Sequence, residues 1–313
     1  MITNQVYSKD RVNVDTSIDL RYDTSENNRD EILKNRYQTR VRLGLIFDFS
    51  EDLSLVGLVS SGESYTSDWS TVKDLKDQDT NLEAPRLFAR RLYLEKKFSG
   101  SKLQVGAIPT VKNKVSITGF DSSGWVDGVR YEKSSKNERS VYEIVVGSID
   151  DLENPDLFSR NRTLNYFEIE ISTRLLEDLT GEVKFEKFME ESYFQGTLEQ
   201  DLKFFGEDIL TITSEYLYNL DRSVGNYNIG AGFDPFNFFL NQYKGNVKVQ
   251  LGHVYSNEEN GLRSELNDNF YTYGHVNYVS MKGKFSKKSR FKWFVNSFFG
   301  DDDRFNAGIN LSF

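Results

Sequence analysis

Residues 11–23 read RVNVDTSIDLRYD, and the side chains alternate in character along the whole stretch. Val12, Val14, Thr16, Ile18, Leu20 and Tyr22 share one face, and Arg11, Asn13, Asp15, Ser17, Asp19, Arg21 and Asp23 share the other. Residues 36–49, RYQTRVRLGLIFDF, repeat the pattern. Tyr37, Thr39, Val41, Leu43, Leu45, Phe47 and Phe49 oppose Arg36, Gln38, Arg40, Arg42, Gly44, Ile46 and Asp48. A period of two is the signature of a strand, since a helix would repeat near 3.6. Both runs are far longer than the roughly five or six residues usual in globular sheets. One face is rich in charges and the other is apolar, so the sheet must stand between water and an apolar medium.

The same alternation recurs to the end of the chain. It predicts strands at 11–23, 36–49, 53–62, 86–98, 102–109, 124–133, 139–149, 163–173, 179–189, 193–204, 208–219, 226–234, 245–256, 270–283, 290–299 and 304–313. That is about sixteen strands, an even number, as in bacterial single-chain transmembrane barrels. The four prolines, Pro85, Pro109, Pro155 and Pro235, fall at strand ends or in connections, where a missing N–H is tolerated. Even-to-odd joins are short, the one near 235–244 excepted, whereas the joins at 24–35, 63–85, 110–123, 150–162 and 257–269 are long. Short periplasmic turns on one rim and longer extracellular loops on the other are the pattern of a transmembrane antiparallel β-barrel. The parity puts both termini on the short-turn rim. No linker interrupts the pattern, so residues 1–313 are expected to form one domain.

Composition agrees with an all-β barrel. Hydrophobic residues make up 38% of the chain, and Tyr (17) and Phe (24) far outnumber Trp (3). Mean hydropathy is -0.57, which leaves little material for a thick two-layer core and fits a polar lumen. A β-sandwich or propeller is the soluble alternative; it would turn the apolar face inward, and the strand length and loop parity oppose it. Without cysteine there is neither disulfide nor thiolate metal site, and two histidines, His253 and His275, cannot build a multi-histidine centre. No cofactor or metal is expected. The net charge of -9 opposes a nucleic-acid partner. The opening MITNQVYSKD lacks an apolar signal segment, so a leader is expected to have been removed.

The last ten residues, RFNAGINLSF, alternate up to Phe313. This resembles the end of outer-membrane barrel proteins, which commonly close on an aromatic residue. The resemblance implies that Phe313 is an assembly signal read by the barrel-assembly machinery. A longer stretch, residues 86–132, is similar to the fourth-to-sixth strand region of the Gram-negative outer-membrane porin family. It carries Arg91-Leu92-Tyr93-Leu94, Val105-Gly106, and Gly124-Trp125-Val126-Asp127-Gly128-Val129-Arg130-Tyr131.

That resemblance implies a water-filled channel in the cell outer membrane for passive diffusion of small hydrophilic solutes or ions. It further implies a homotrimer in contact with lipid and lipopolysaccharide. A basic ladder of Arg36, Arg40, Arg42, Arg91 and Arg130 would line the pore. It would face an inward-folded constriction loop at 110–123 with Lys112, Lys114 and Asp121. Tyr93 replaces a usual small residue, and the loop has no run of acids. The same arginines could instead pair with Asp15, Asp19, Glu95 and Glu132 on neighbouring strands. Glu168, Glu170, Glu182, Glu186, Glu199 and Glu215 have inward parity on later strands. Tyr22, Phe47, Phe49, Phe98, Tyr131, Phe204, Tyr218 and Phe291 fall outward near strand ends, as interfacial girdles do. A plugged barrel serving as scaffold, adhesin or partner-binding protein is the alternative, and a barrel hydrolase a third. Neither histidine lies in a hydrolase motif, and G-x-S-x-G and H-E-x-x-H are absent.

Overall fold

The computed structural model describes residues 11–27, 32–76, 84–110, 123–149, 152–160, 162–204, 207–237, 245–261, 263, 273–286 and 288–313. They contain seventeen strands in one antiparallel sheet. In chain order these are β1 (Val12–Asn27), β2 (Ile32–Asp48), β3 (Leu53–Ser60), β4 (Ser70–Asp74), β5 (Phe88–Phe98), β6 (Ser101–Pro109), β7 (Trp125–Ser134) and β8 (Ser140–Ser148). There follow β9 (Tyr166–Arg174), β10 (Leu179–Phe188), β11 (Glu191–Phe204), β12 (Glu207–Asn219), β13 (Val224–Phe233), β14 (Val247–Ser256), β15 (Gly274–Lys284), β16 (Phe291–Gly300) and β17 (Asp302–Ser312).

Two of these strands share one place in the wall. β3 pairs with Arg42–Asp48 of β2, and β4 pairs with Arg36–Thr39 of the same strand. They lie end to end, so the wall has sixteen places, and residues 61–69 leave it between the two halves. β17 pairs with β1 from Ser17↔Ser312 to Asn27↔Asp302. The sheet is therefore a closed sixteen-place barrel, the form a sheet must take if lipid surrounds it, and among the described residues β4 pairs with β2 alone. No helix among the described residues is long and apolar enough to cross a membrane.

Each predicted strand falls on one of the sixteen places; β4 was hidden in a segment read as loop. The 24–35 connection is corrected, because β1 continues to Asn27 and β2 begins at Ile32. The long joins that remain on that rim follow β4, β6, β8 and β14. The register fixes the faces. Ile18 pairs with both Val41 and Leu311, so the apolar rows of β1, β2 and β17 align on one side. That side is the exposed one: Val14, Ile18, Ile144, Ile171, Val183, Ile229 and Ile309 are all solvent-accessible. The inward row carries Asp19, Asp23, Arg130, Glu168, Glu182, Lys184 and Glu186, all buried. Apolar out and polar in is the inverse of a soluble sandwich. Outward aromatics meet in pairs near the rims, with Phe47–Phe49 at 4.9 Å and Tyr22–Tyr37 at 5.5 Å.

Gly106 of the Val105-Gly106 pair sits at φ 128°, a conformation L side chains rarely adopt. It lies in register with Tyr93 on β5, and a Cβ there would run into the Tyr93 backbone.

Candidate functional site

The site that the barrel builds is its lumen, and its inner wall has two sectors. The first is an arginine wall on β17, β1 and β2. Alternation on these strands brings Arg304, Arg21, Arg36, Arg40 and Arg42 to the inner face. Arg36 and Arg304 both bond Asp23, at 3.0 and 3.2 Å, and Arg40 bonds Asp19 at 2.9 Å.

The break in the third place supplies the next partner. Residues 61–69 fold across the inner wall and set Asp68 against Arg40 (3.5 Å) and Arg42. Ser60 and Ser123 donate to the same carboxylate at 3.2 and 3.0 Å. Burial alone would raise the Asp68 carboxyl, but Arg42 and Arg40 together outweigh it and hold it below the ordinary carboxylate value. It is therefore charged near neutral pH, and its attraction to the arginines is lost only as pH falls through that lowered value. Next to it Trp69 lies under Arg21 and Arg40, with guanidinium carbons 4.2 and 4.6 Å from the ring centre.

Arg90 and Tyr65 hold the segment in place. Arg90 donates to the carbonyls of Gly62 and Ser67, each at 2.9 Å, and of Tyr65 at 3.4 Å. The Tyr65 hydroxyl accepts from the Trp125 amide at 3.0 Å and donates to the Trp125 carbonyl. Full burial pushes that hydroxyl's pKa up. Arg160 covers both rings at 4.3 and 4.7 Å. Arg90 stands at a register shift, since Leu58 pairs with Arg91 but Val59 with Ala89. A bulge of this kind adds one residue to the strand and re-aims its side chain. Arg91, whose lumen parity stands, donates to the Gly124 carbonyl at 3.1 Å.

Arg90→Met leaves three carbonyls without their charged donor and is expected to cost about 3 kcal/mol. The heat-modification midpoint on a gel should fall, and limited proteolysis should cut within 61–69. An unchanged midpoint with no new cleavage would mean that Arg90 does not hold the segment.

The second sector is a packed carboxylate wall on β7 to β13. Arg130 bonds Glu143 (2.9 Å), Gln104 (2.9 Å) and the Pro109 carbonyl (2.7 Å), so its guanidinium is tied into the wall on three sides. Lys184 lies 3.3 Å from Glu168 and 3.1 Å from Glu186. Arg263, from the connection after β14, reaches Glu186 at 2.8 Å. The same connection is anchored where Tyr193 donates to the Asn260 carbonyl at 3.1 Å. This inward fold, like the one at 61–69, has no sequence signal beyond its long join. Tyr166, Phe188, Tyr193 and Leu217 fill the space beside these charges.

Of the other residues singled out in the sequence, Lys112, Lys114 and Asp121 lie outside the described residues, as does most of the 110–123 loop. Of the carboxylates weighed as arginine partners, Asp19 takes Arg40, whereas Glu132 pairs with Lys102 at 3.1 Å and Glu95 accepts from Gln104 at 2.8 Å. Phe313 is exposed, and its amide donates to the Thr16 carbonyl at 3.0 Å. His253 and His275 meet each other at 3.2 Å beside Tyr227 and Tyr255. Their strand parity, shared with the exposed Leu251, is outward.

A scan against protein-family models finds no match, and neither does a search of curated proteins. Solved structures do match. Three mutants of the Rhodopseudomonas blastica porin superpose on 96% of this chain and 100% of their own, with TM-scores of 0.59, 0.61 and 0.59. Sequence identities are 10%, 8% and 9%, so the likeness is one of fold. The chain has the sixteen-place barrel of the porins.

Proposed function

We propose that this barrel is an outer-membrane channel through which small hydrophilic solutes or ions diffuse passively. The observation that carries the reading is the inversion of faces. A closed wall presents apolar residues to its surroundings and charged arginines to its interior, where Arg36, Arg40 and Arg42 keep 20–25% of their side-chain surface accessible. Water and ions are the natural occupants of such a space. In this reading the chain works as a homotrimer in a Gram-negative outer membrane, touches lipid and lipopolysaccharide, and is inserted by the barrel-assembly machinery. Nothing in it calls for catalysis.

The test is conductance of the purified, folded protein in a planar bilayer. Stepwise insertion of long-lived open channels is the expected result. A second reading, a plugged barrel that holds a partner, draws on the packed carboxylate wall and the inward Arg263. It predicts a folded, heat-modifiable protein that leaves the bilayer ion-tight.

A further inference from the structure

We infer that conduction runs along the arginine wall, that the channel therefore prefers small anions, and that Asp68 sets how strongly it does so. This inference rests on the channel reading and names its solute class.

The argument starts from which charges a solute can approach. On the carboxylate wall the inward side chains Glu143, Glu168, Glu182, Glu186 and Glu215 are buried, and Glu170 and Glu199 are half-buried. The five buried carboxylates present almost no surface to a solute. Lys184, Arg130 and Arg263 are buried among them. Close pairs of opposite charge present dipoles to a distant ion, and salt screens what remains beyond about 8 Å. The buried part of this wall's acidity is thereby withdrawn from a passing solute, which leaves Glu170 and Glu199 as its accessible acids.

The opposite sector is more accessible, and in its three ion pairs the accessible charge is the cationic one. Arg36, Arg40 and Arg42 expose 25%, 20% and 25% of their side chains, whereas their partners Asp23, Asp19 and Asp68 expose 0–1%. In each ion pair the arginine side chain is the accessible partner and the carboxylate the covered one, although one terminal nitrogen of Arg42 is itself buried. A cavity of about 250 Å³ lies toward the short-turn rim, bordered by Asp15, Gly44, Ile46, Val56, Arg91 and Tyr93. Lys282 and Lys292, inward and exposed on β15 and β16, extend the cationic surface toward the short-turn rim. Asp15, which is exposed, and the half-buried Glu95 lie at that end and offset part of it. A pore lined with one sign of charge concentrates the opposite sign.

Asp68 differs from Asp19 and Asp23 because the chain need not have put it there. The other two belong to β1 itself, whereas Asp68 arrives on the segment that leaves the wall. It offsets Arg40 and Arg42 together, at the most crowded point of the ladder.

The experiment is the reversal potential of reconstituted channels under a potassium chloride gradient. The native protein should reverse on the anion-selective side. Asp68→Asn removes one negative charge a few ångströms from the path and should raise the anion-to-cation permeability ratio about threefold. Arg40→Gln should lower it by a similar factor. Glu182→Gln, buried in the packed wall, should leave it unchanged. A cation-selective native channel overturns the inference while the channel reading stands. So does a Glu182→Gln shift as large as that of Asp68→Asn. A folded protein that never conducts overturns both.

Discussion

Val183→Arg should destabilise the folded barrel in lipid by about 2–4 kcal/mol, the cost measured for a cationic side chain near the bilayer midplane. Val183 lies in the middle of β10 and is 50% exposed, flanked outward by the exposed Ile171 on β9. In a water-soluble sheet a half-exposed valine tolerates arginine within about 0.5 kcal/mol. The two surroundings thus differ in what the same substitution costs. Denaturant titration in lipid vesicles reads the difference directly, with Glu190→Arg in the short join between β10 and β11 as the control that should stay near zero. A loss below about 0.5 kcal/mol at Val183 would remove the lipid-facing exterior, and with it the channel.

The second large effect is expected inside. Lys184→Met keeps most of the side-chain volume but takes away the cation between Glu168 and Glu186. Breaking a buried pair by deleting one partner costs about 3–5 kcal/mol, because the remaining charge has lost its compensation. Glu186 retains Arg263, and Glu168 retains the Tyr166 hydroxyl at 2.6 Å, so the loss should fall chiefly on Glu168. Adding Glu168→Gln to Lys184→Met should therefore recover a large part of the stability, whereas Glu168→Gln added to the native chain should not stabilise it. A double-mutant cycle on the thermal midpoint measures the coupling. Strict additivity would mean that Lys184 is not the compensating charge.

The fold was largely legible in the sequence because its two determinants are local. A period of two needs only neighbouring residues, and loop-length parity needs only strand positions. The fold of β1 and β2, and the inward parity of Arg36, Arg40, Arg42 and the later glutamates, follow from that alone. What was hidden depends on departures from periodicity. Residues 63–74, ESYTSDWSTVKD, carry Ser, Thr and Asp in numbers that read as loop, and TVKD is too short to register as a strand. Strict alternation gives Arg91 the lumen and leaves no inward place for its neighbour Arg90. One signal was available there: two consecutive arginines cannot alternate without placing a guanidinium in lipid, and a bulge resolves the conflict. The partners Asp68 and Arg263 could not be read, because long-range contacts brought by irregular segments leave no period behind.

The seam between β1 and β17 has a consequence in time rather than in space. Every other neighbouring pair in the wall comes from segments close in the chain and can form as soon as both exist. The seam pairs Ser17 with Ser312, at a closure entropy of about 5 kcal/mol for ends so far apart in an unstructured chain. Until β17 is made, β1 has one partner and one bare backbone edge, and a bare edge is costly in hydrocarbon and sticky in water. Hairpin-by-hairpin growth shortens the remaining gap but never removes it. Closure is therefore the last step, and the rate at which a nearly complete sheet curls onto its own first strand should govern how quickly the folded protein appears.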